Sequence, residues 1–278
     1  MSLHDPMLRR LRSLLLSSGL LCSLLLASGQ AQVITTITPD GTLGTAVTQS
    51  GTVHDITGGT RPGNGPNLFQ SFDRFSVGTN DTARFSGPTG IVNILSRVTG
   101  GQLSVIDGRL QSTIAGANLY LLNPSGVLFG PNAILDVSGS FHVSTADVLR
   151  FTDGATFSAR IGETSTLTTA PPAAFGFLGP TPAPITVQGS DLQVPPGQAL
   201  SVVGGDIQIS GGRLSAPSGQ VQLASVASAG DVVPSARGES PALQVGTFSA
   251  SARSRSRRGP STPLVLGLRV VVALAAQS

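Results

Sequence analysis

The stretch Ile185-Thr186-Val187-Gln188-Gly189-Ser190-Asp191-Leu192-Gln193-Val194-Pro195-Pro196-Gly197-Gln198-Ala199-Leu200-Ser201-Val202 carries one pattern that the chain goes on repeating to Leu223. Apolar residues open each repeat at Ile185, Leu192, Leu200, Ile207, Leu214 and Val221, with gaps of 7, 8, 7, 7 and 7. Most open a short alternation: Ile185/Val187, Leu192/Val194, Leu200/Val202, Ile207/Ile209 and Val221/Leu223. Alternation sends every second side chain to the same face, as in a strand. Turn residues separate the strands: Gly189-Ser190, Pro195-Pro196-Gly197, Gly204-Gly205, Gly211-Gly212 and Pro217-Ser218-Gly219. Three such strands make a coil of about 21 residues, a period that fits a solenoid. The pattern predicts an all-β chain folded as a right-handed parallel β-helix, its bore filled by Val, Ile and Leu.

Working back from there, Ile134-Leu135-Asp136-Val137-Ser138-Gly139-Ser140-Phe141-His142-Val143 has the same character. Gly90, Gly108 and Gly126 lie 18 apart, which suggests similar coils there. A single helical turn is expected at most, around Ser144 to Leu149. The segment 32–60 reads as short Thr/Val/Ile strands broken by Pro39-Asp40-Gly41 and Gly58-Gly59. A solenoid has an open end that must be blocked against strand addition, so this segment is expected to form an N-terminal β cap. Phe69, Phe72 and Phe75 are expected in the core.

Composition agrees. Charged residues make up 11% of the 278, against 35 Gly and 19 Pro, and every one of the 17 basic residues is Arg. Apolar residues come in runs of three to five, which excludes a bundle of membrane helices. The net charge of +3 is a property of the two ends, since 32–252 holds nine Arg against thirteen Asp and Glu. A mildly acidic body excludes a nucleic-acid partner read from basic balance.

Residues 1–31 read as a secretory signal. Arg9, Arg10 and Arg12 form the positive region, Leu14 to Leu26 the apolar one, and Gly29-Gln30-Ala31 places cleavage after Ala31. Cys22, the single cysteine, falls inside that signal, so the remaining chain has no disulfide. Residues 32–249 form the β-helix domain. At 250–278 the character changes to Arg253-Ser254-Arg255-Ser256-Arg257-Arg258 and then Leu264 to Ala276. Three readings of this tail stay open: a disordered basic tail, a reading-frame change that cuts short a longer passenger, or a functional tail.

Chemistry-bearing constellations are sparse. The histidines are His4, His54 and His142, too far apart in sequence to define a metal site, and no cofactor is expected. His142 lies between Phe141 and Val143, which predicts a solvated outer face. Asp73, Asp81, Asp107, Asp136, Asp147 and Asp153 are single and spread, unlike the clustered acids of a polysaccharide-cleaving β-helix. Most sit near turns, where Asp serves backbone hydrogen bonds. No enzymatic activity is expected. Asn123-Pro124-Ser125-Gly126 fits a tight turn: Asn bonds back to the chain, Pro presets its angle and Gly closes it. Gly130-Pro131-Asn132 is a second turn close by.

Two short segments carry a family resemblance. Gly65-Pro66-Asn67-Leu68 resembles the signature Asn-Pro-Asn-Leu, without its leading Asn. Asn123-Pro124-Ser125-Gly126-Val127 resembles Asn-Pro-Asn-Gly-Ile, with Ser for Asn and Val for Ile. The pair, in order, behind a signal and inside a β-helix pattern, resembles the N-terminal secretion domain of filamentous-haemagglutinin-like exoproteins in two-partner secretion, over about 33–249. The resemblance implies recognition in the periplasm by a cognate outer-membrane β-barrel transporter with periplasmic recognition domains, then export to the cell surface. It marks Pro66, Asn67, Leu68, Asn123, Pro124, Ser125, Gly126 and Val127 as transporter-recognition or turn residues. The alternative is a stand-alone extracellular β-helix that binds carbohydrate, cell-surface glycans or receptors.

Overall fold

A computed structural model describes residues 32–234 and three short strands beyond them, at 242–243, 255–256 and 270–273. Three strands open the chain: β1 (Thr36–Pro39), β2 (Thr45–Ser50) and β3 (Val53–Gly58). The first coil follows as β4 (Asn67–Ser76) and β5 (Thr82–Phe85). The second is β6 (Asn93–Val98), β7 (Ser104–Ile106) and β8 (Arg109–Ser112); the third is β9 (Asn118–Leu122), β10 (Val127–Phe129) and β11 (Ile134–Asp136). The fourth begins with β12 (Phe141–Ser144) and is interrupted by β13 (Val148–Phe151), β14 (Thr156–Ser158) and β15 (Pro172–Phe177). It resumes with β16 (Ile185–Gln188) and β17 (Asp191–Gln193). The fifth is β18 (Ala199–Gly204), β19 (Ile207–Ser210) and β20 (Arg213–Ser215); β21 (Gln220–Ser225) and β22 (Gly230–Val233) end the series.

The result is the predicted parallel β-solenoid. Its wide face stacks β4, β6, β9, β12, β18 and β21, all parallel. A second face stacks β7, β10, β16 and β19. The third stacks β3, β5, β8 and β11, and then β17 and β20. Over 185–223 the register matches the sequence spacing. Ile185 pairs with Ile207, Leu192 with Leu214 and Leu200 with Val221, so every apolar start lies on its counterpart one coil later. Backbone hydrogen bonds thereby run from coil to coil, and the inward column Leu68, Ile94, Leu119, Phe141, Leu200 and Val221 is closed off from water. Burying each such side chain stabilises by about 1.5–3 kcal/mol.

The cap lies where expected. Strand β1 pairs antiparallel with β4 at the edge of the wide face, and β2 pairs antiparallel with β3 at the edge of the third. Antiparallel strands terminate a parallel stack because the next coil cannot continue from them in register.

Two expectations are corrected. Gly90, Gly108 and Gly126 are not equivalent corners: they precede β6, β8 and β10, which belong to three different faces. The early coils are longer, and the true repeat is Asn67, Asn93, Asn118, aligned through the register of β4, β6 and β9. Gly108 answers to local crowding instead, since a Cβ there would lie 2.3 Å from the Gly78 carbonyl oxygen. No helical turn forms at Ser144 to Leu149, where β12 passes into β13. A 3-10 turn occurs at Pro62–Asn64 instead, with Pro at its start, where a missing N–H costs nothing.

The interruption between β12 and β16 builds a separate antiparallel sheet, ordered β14-β13-β15-β22. It covers the outer side of the wide face. Phe69, Leu95, Tyr120 and Leu122 point outward into a second core with Phe151, Phe157, Phe175 and Phe177. The Phe69, Phe72, Phe75 series is therefore buried, as expected, but divided. Phe69 packs edge-on to Phe157 in the outer core, whereas Phe72 and Phe75 join the bore.

Candidate recognition site at the turn signatures

Both signatures are hydrogen-bonding devices between coils. Asn67 opens β4 and is fully buried. Its Oδ1 accepts from Asn93 Nδ2 at 2.9 Å, Asn93 Oδ1 accepts from Asn118 Nδ2 at 3.0 Å, and Asn118 Oδ1 accepts from the Ser140 amide at 2.9 Å. An asparagine ladder thus ties four successive coils. At its first rung no coil remains to donate to. Asn67 Nδ2 turns to the interrupting segment and donates to the carbonyls of Thr168 (3.0 Å) and Ala170 (2.7 Å). Pro66 supplies a carbonyl that accepts from the amides of Val92 and Asn93, and Leu68 faces the bore. The ladder was readable in sequence as Asn67-Leu68-Phe69, Asn93-Ile94-Leu95 and Asn118-Leu119-Tyr120, which share Asn before two apolar or aromatic residues.

Asn123 is also fully buried. Its Oδ1 accepts from the Ser125 amide at 2.9 Å, and its carbonyl accepts from the Gly126 amide at 3.0 Å, which closes the expected turn. Its Nδ2 reaches back one coil to the Gln102 carbonyl (2.8 Å) and Ser104 Oγ (2.9 Å). Gly126 takes a φ of 106°, open to glycine and costly for other residues. Val127 is buried; only Pro124 and Ser125 are half-exposed.

Beside Asn67 lies a group that the sequence did not flag. Arg97 of β6 points outward and is almost wholly buried. Its Nε donates to Ser71 Oγ, its Nη1 to the Ser158 carbonyl and Ser165 Oγ, and its Nη2 to Thr42 Oγ1. The guanidinium also lies over the Phe157 ring at 4.8 Å. Burial pulls the Arg97 pKa below its ordinary value, and the Asp40 charge opposes this. Burial alone would raise the Asp40 carboxyl. Hydrogen bonds from Ser71, Thr42 and Thr99 outweigh it and hold that group below the usual range. One side chain therefore joins cap, first two coils and interrupting sheet. The signal for it was an Arg at an outward strand position whose neighbours in register, Ser71 and Leu122, are buried.

The remaining polar groups are structural in their contacts. Asp107 accepts from the amide and Nδ2 of Asn132, which pins the second turn; these bonds and one from Thr79 outweigh its burial and lower its pKa. Asp136 pairs with Arg109 and Asp147 with Arg160. Among the described residues no group of three His, Cys, Asp or Glu is placed to hold a metal. A groove of about 580 Å³ crosses the coils on the third face, lined among others by Asn80, Asp81, Arg109, Asn132, Ile134 and Asp191.

His142 is not on a solvated surface. It does point outward from β12, but the second core lies over that side. Its ring stacks on Tyr120 at 4.3 Å, and Nδ1 lies 3.0 Å from Ser201 Oγ. Ser201 Oγ also lies 3.1 Å from Gln222 Oε1, so the hydroxyl links the ring to the next strand of the wide face. Full burial pushes the imidazole down to about 4. Strand alternation had identified the outward direction correctly. It could not show what covers that direction.

The TPS secretion domain model matches residues 35–252, most of the chain and nearly all of the described coils. This chain belongs to the TPS secretion domain family. Among solved structures, the TPS domain here is similar to the HMW1 secretion domain from Haemophilus influenzae. The two share 17% identity and a TM-score of 0.51, over 79% of this chain and 50% of that one. The filamentous hemagglutinin secretion domain matches at 17% identity and a TM-score of 0.45, over 78% of this chain and 70% of the other. Among curated proteins, the heme/hemopexin-binding protein of Haemophilus influenzae is 35% identical over 79 residues, which are 28% of this chain and 8% of that protein. The chain thus spans half or less of the first-named structure and of the curated relative.

Proposed function

We propose that this TPS domain is the export module of a two-partner secretion exoprotein. Its chain is recognised in the periplasm by the periplasmic domains of a cognate outer-membrane β-barrel transporter and delivered to the cell surface. The family match over 35–252 carries this reading. A low-charge body without cysteine after residue 31 suits passage through a pore, because nothing crosslinks it before it folds. In this reading 1–31 is a signal cleaved after Ala31, and 250–278, almost wholly outside the described residues, is a tail whose described strands at 255–256 and 270–273 pair with β19 and β21.

The burial of Asn67, Leu68, Asn123, Gly126 and Val127 favours a role for the signatures outside the finished fold. Folded, they touch only this chain. They act either on the transporter before folding or on the coiling that follows passage. The test is secretion by cells with and without the transporter gene: equal export from both removes the reading. Amino-terminal sequencing of exported protein should begin at Gln32.

A second reading, direct binding of surface glycans, has one supporting observation. The groove of about 580 Å³ presents amides, carboxylates and Arg109 beside the exposed Ile134. Unchanged glycan binding after Asn132→Ala and Asp191→Ala together would remove it.

A further inference from the structure

The last coils of a solenoid present strand edges with no coil beyond them. Of β19, β20 and β21, the longest is β21, whose six residues Gln220–Ser225 pair with β18 along one side. The other side offers main-chain groups that take up any extended strand, one from another molecule included. Composition makes this edge a hazard. Val221, Leu223 and Ala224 are apolar, and no charged residue lies within the strand to repel a visitor.

A strand of the basic and apolar tail lies on that edge. Val270–Ala273 pairs antiparallel with β21, Val270 opposite Ala224, Val271 opposite Leu223, Val272 opposite Gln222 and Ala273 opposite Val221. Three β-branched valines in a row suit a strand. The far edge of the same sheet is closed in the same sense, by β1 lying antiparallel on β4. Six parallel coil strands thus stand between two antiparallel ones. A further coil would need the edge that Val270–Ala273 takes and would run parallel to β21, so a continued stack and this strand exclude one another. The tail's own strands are short and flanked by charge in the sequence. Arg269 directly precedes the valines, and Arg255–Ser256, paired with β19, sits among Arg253, Arg257 and Arg258. Short edge strands flanked by positive residues resist pairing with a second copy.

We propose that the tail is a clasp that keeps the solenoid monomeric. Val270–Ala273 occupies the edge of β21, and without it that edge pairs with the same edge of a second copy of this chain. Two copies of one strand related by a two-fold axis normal to the sheet run antiparallel, the sense in which Val270–Ala273 lies. A second β21 therefore fits the site that the tail strand fills. Of the three readings of the tail, this is the functional one: the sequence after residue 250 departs from the coil pattern because its work is to end that pattern. The inference stands or falls apart from the export reading.

The test uses residues 33–278, which form a compact unit of their own and contain no cysteine. Val271→Pro puts a residue that cannot donate to the ladder in the middle of the tail strand. Light scattering should find the unaltered chain monomeric at every concentration and the variant passing to dimers as it is concentrated. In dilute variant the amides of 221–224 should exchange at least about tenfold faster, with the bore strands β6, β9 and β12 still protected, and concentration should slow them again. A second arm needs no broken strand. Val221→Cys with Ala273→Cys places two thiols on register partners, within reach of a cross-strand disulfide. Mild oxidation should close it within one chain and leave that chain monomeric. Unchanged exchange at 221–224 in Val271→Pro overturns the clasp, as does a disulfide that forms only between chains. Faster exchange in a variant that stays monomeric at every concentration overturns the second copy as the alternative occupant. Dimers of the unaltered chain overturn the closure itself.

Discussion

The two sides of the wide sheet follow different rules. Along its inner side the register column Leu68, Ile94, Leu119, Phe141, Leu200, Val221 is apolar from first coil to last. Along its outer side the neighbouring column reads Phe69, Leu95, Tyr120, His142, Ser201, Gln222 and passes from apolar to polar. Both columns are buried. The inner one is closed by the coil itself, so each repeat must supply the same kind of residue. The outer one is closed by a sheet that arrives from elsewhere in the chain, so each position is matched to a particular visitor. A periodic side and an aperiodic side on the same strands should fail in different ways.

The largest effect is expected inside. Phe141→Ala removes a fully buried ring between Leu119 and Leu200 and should cost about 3–5 kcal/mol in urea unfolding. Hydrogen exchange should rise across all coils, because each coil is supported by its neighbours. Phe175→Ala, in the covering sheet, should raise exchange in 148–177 and 230–233 and leave the coils protected. Uniform exchange in both variants would break the distinction between the two sides.

Acid should find the outer side first. His142 has a folded pKa near 4 against 6.5 for the free side chain. Between those values the unfolded chain binds more protons than the folded one, so stability rises with pH. The contribution is complete above 6.5 and drains away as pH falls toward 4, at up to about 1.4 kcal/mol per pH unit. The carboxylates held low, Asp40 and Asp107, add their losses as pH falls below the ordinary carboxyl value of 3.8. A His142→Leu chain should show a flatter stability profile over pH 4–6.5. An unchanged slope would place the acid sensitivity elsewhere.

Between these sides runs the asparagine ladder, and it shows where reading the sequence succeeded and where it stopped. The bore and its coils were legible at 185–223 because each strand alternates and each corner carries Gly or Pro. The turn at Asn123 was legible because Asn, Pro and Gly act locally. The ladder went unread although its residues recur, because steps of 26 and 25 differ from the 21 of Leu200 to Val221. The covering sheet was illegible for a stronger reason: β15 pairs with β22, more than fifty residues away, and no local pattern announces that. Arg97 and His142 went unread with it, since their environment is the visitor. Asn93→Ala tests the ladder directly. It strands Asn118 Nδ2 and Asn67 Oδ1 without their partner and should cost about 2 kcal/mol in the same urea experiment. A loss no larger than that of an exposed substitution would make the ladder a bystander of coil packing.

The smallest effect belongs to the third face, where neither rule applies. Asp191 and Arg213 are register partners on β17 and β20, with Arg213 Nε 3.3 Å from Asp191 Oδ1. Their side chains are 59% and 67% exposed, so water and salt screen the pair and its ordering entropy offsets most of the attraction. Arg213→Gln should therefore change unfolding free energy by no more than about 1 kcal/mol and lose even that in high salt. The pair is also where the last described coil stacks on the fourth. A larger, salt-independent loss would mean that this face, like the wide one, is closed by something that repeats or something that visits. A small loss leaves the two buried columns as the places where this solenoid stores its stability.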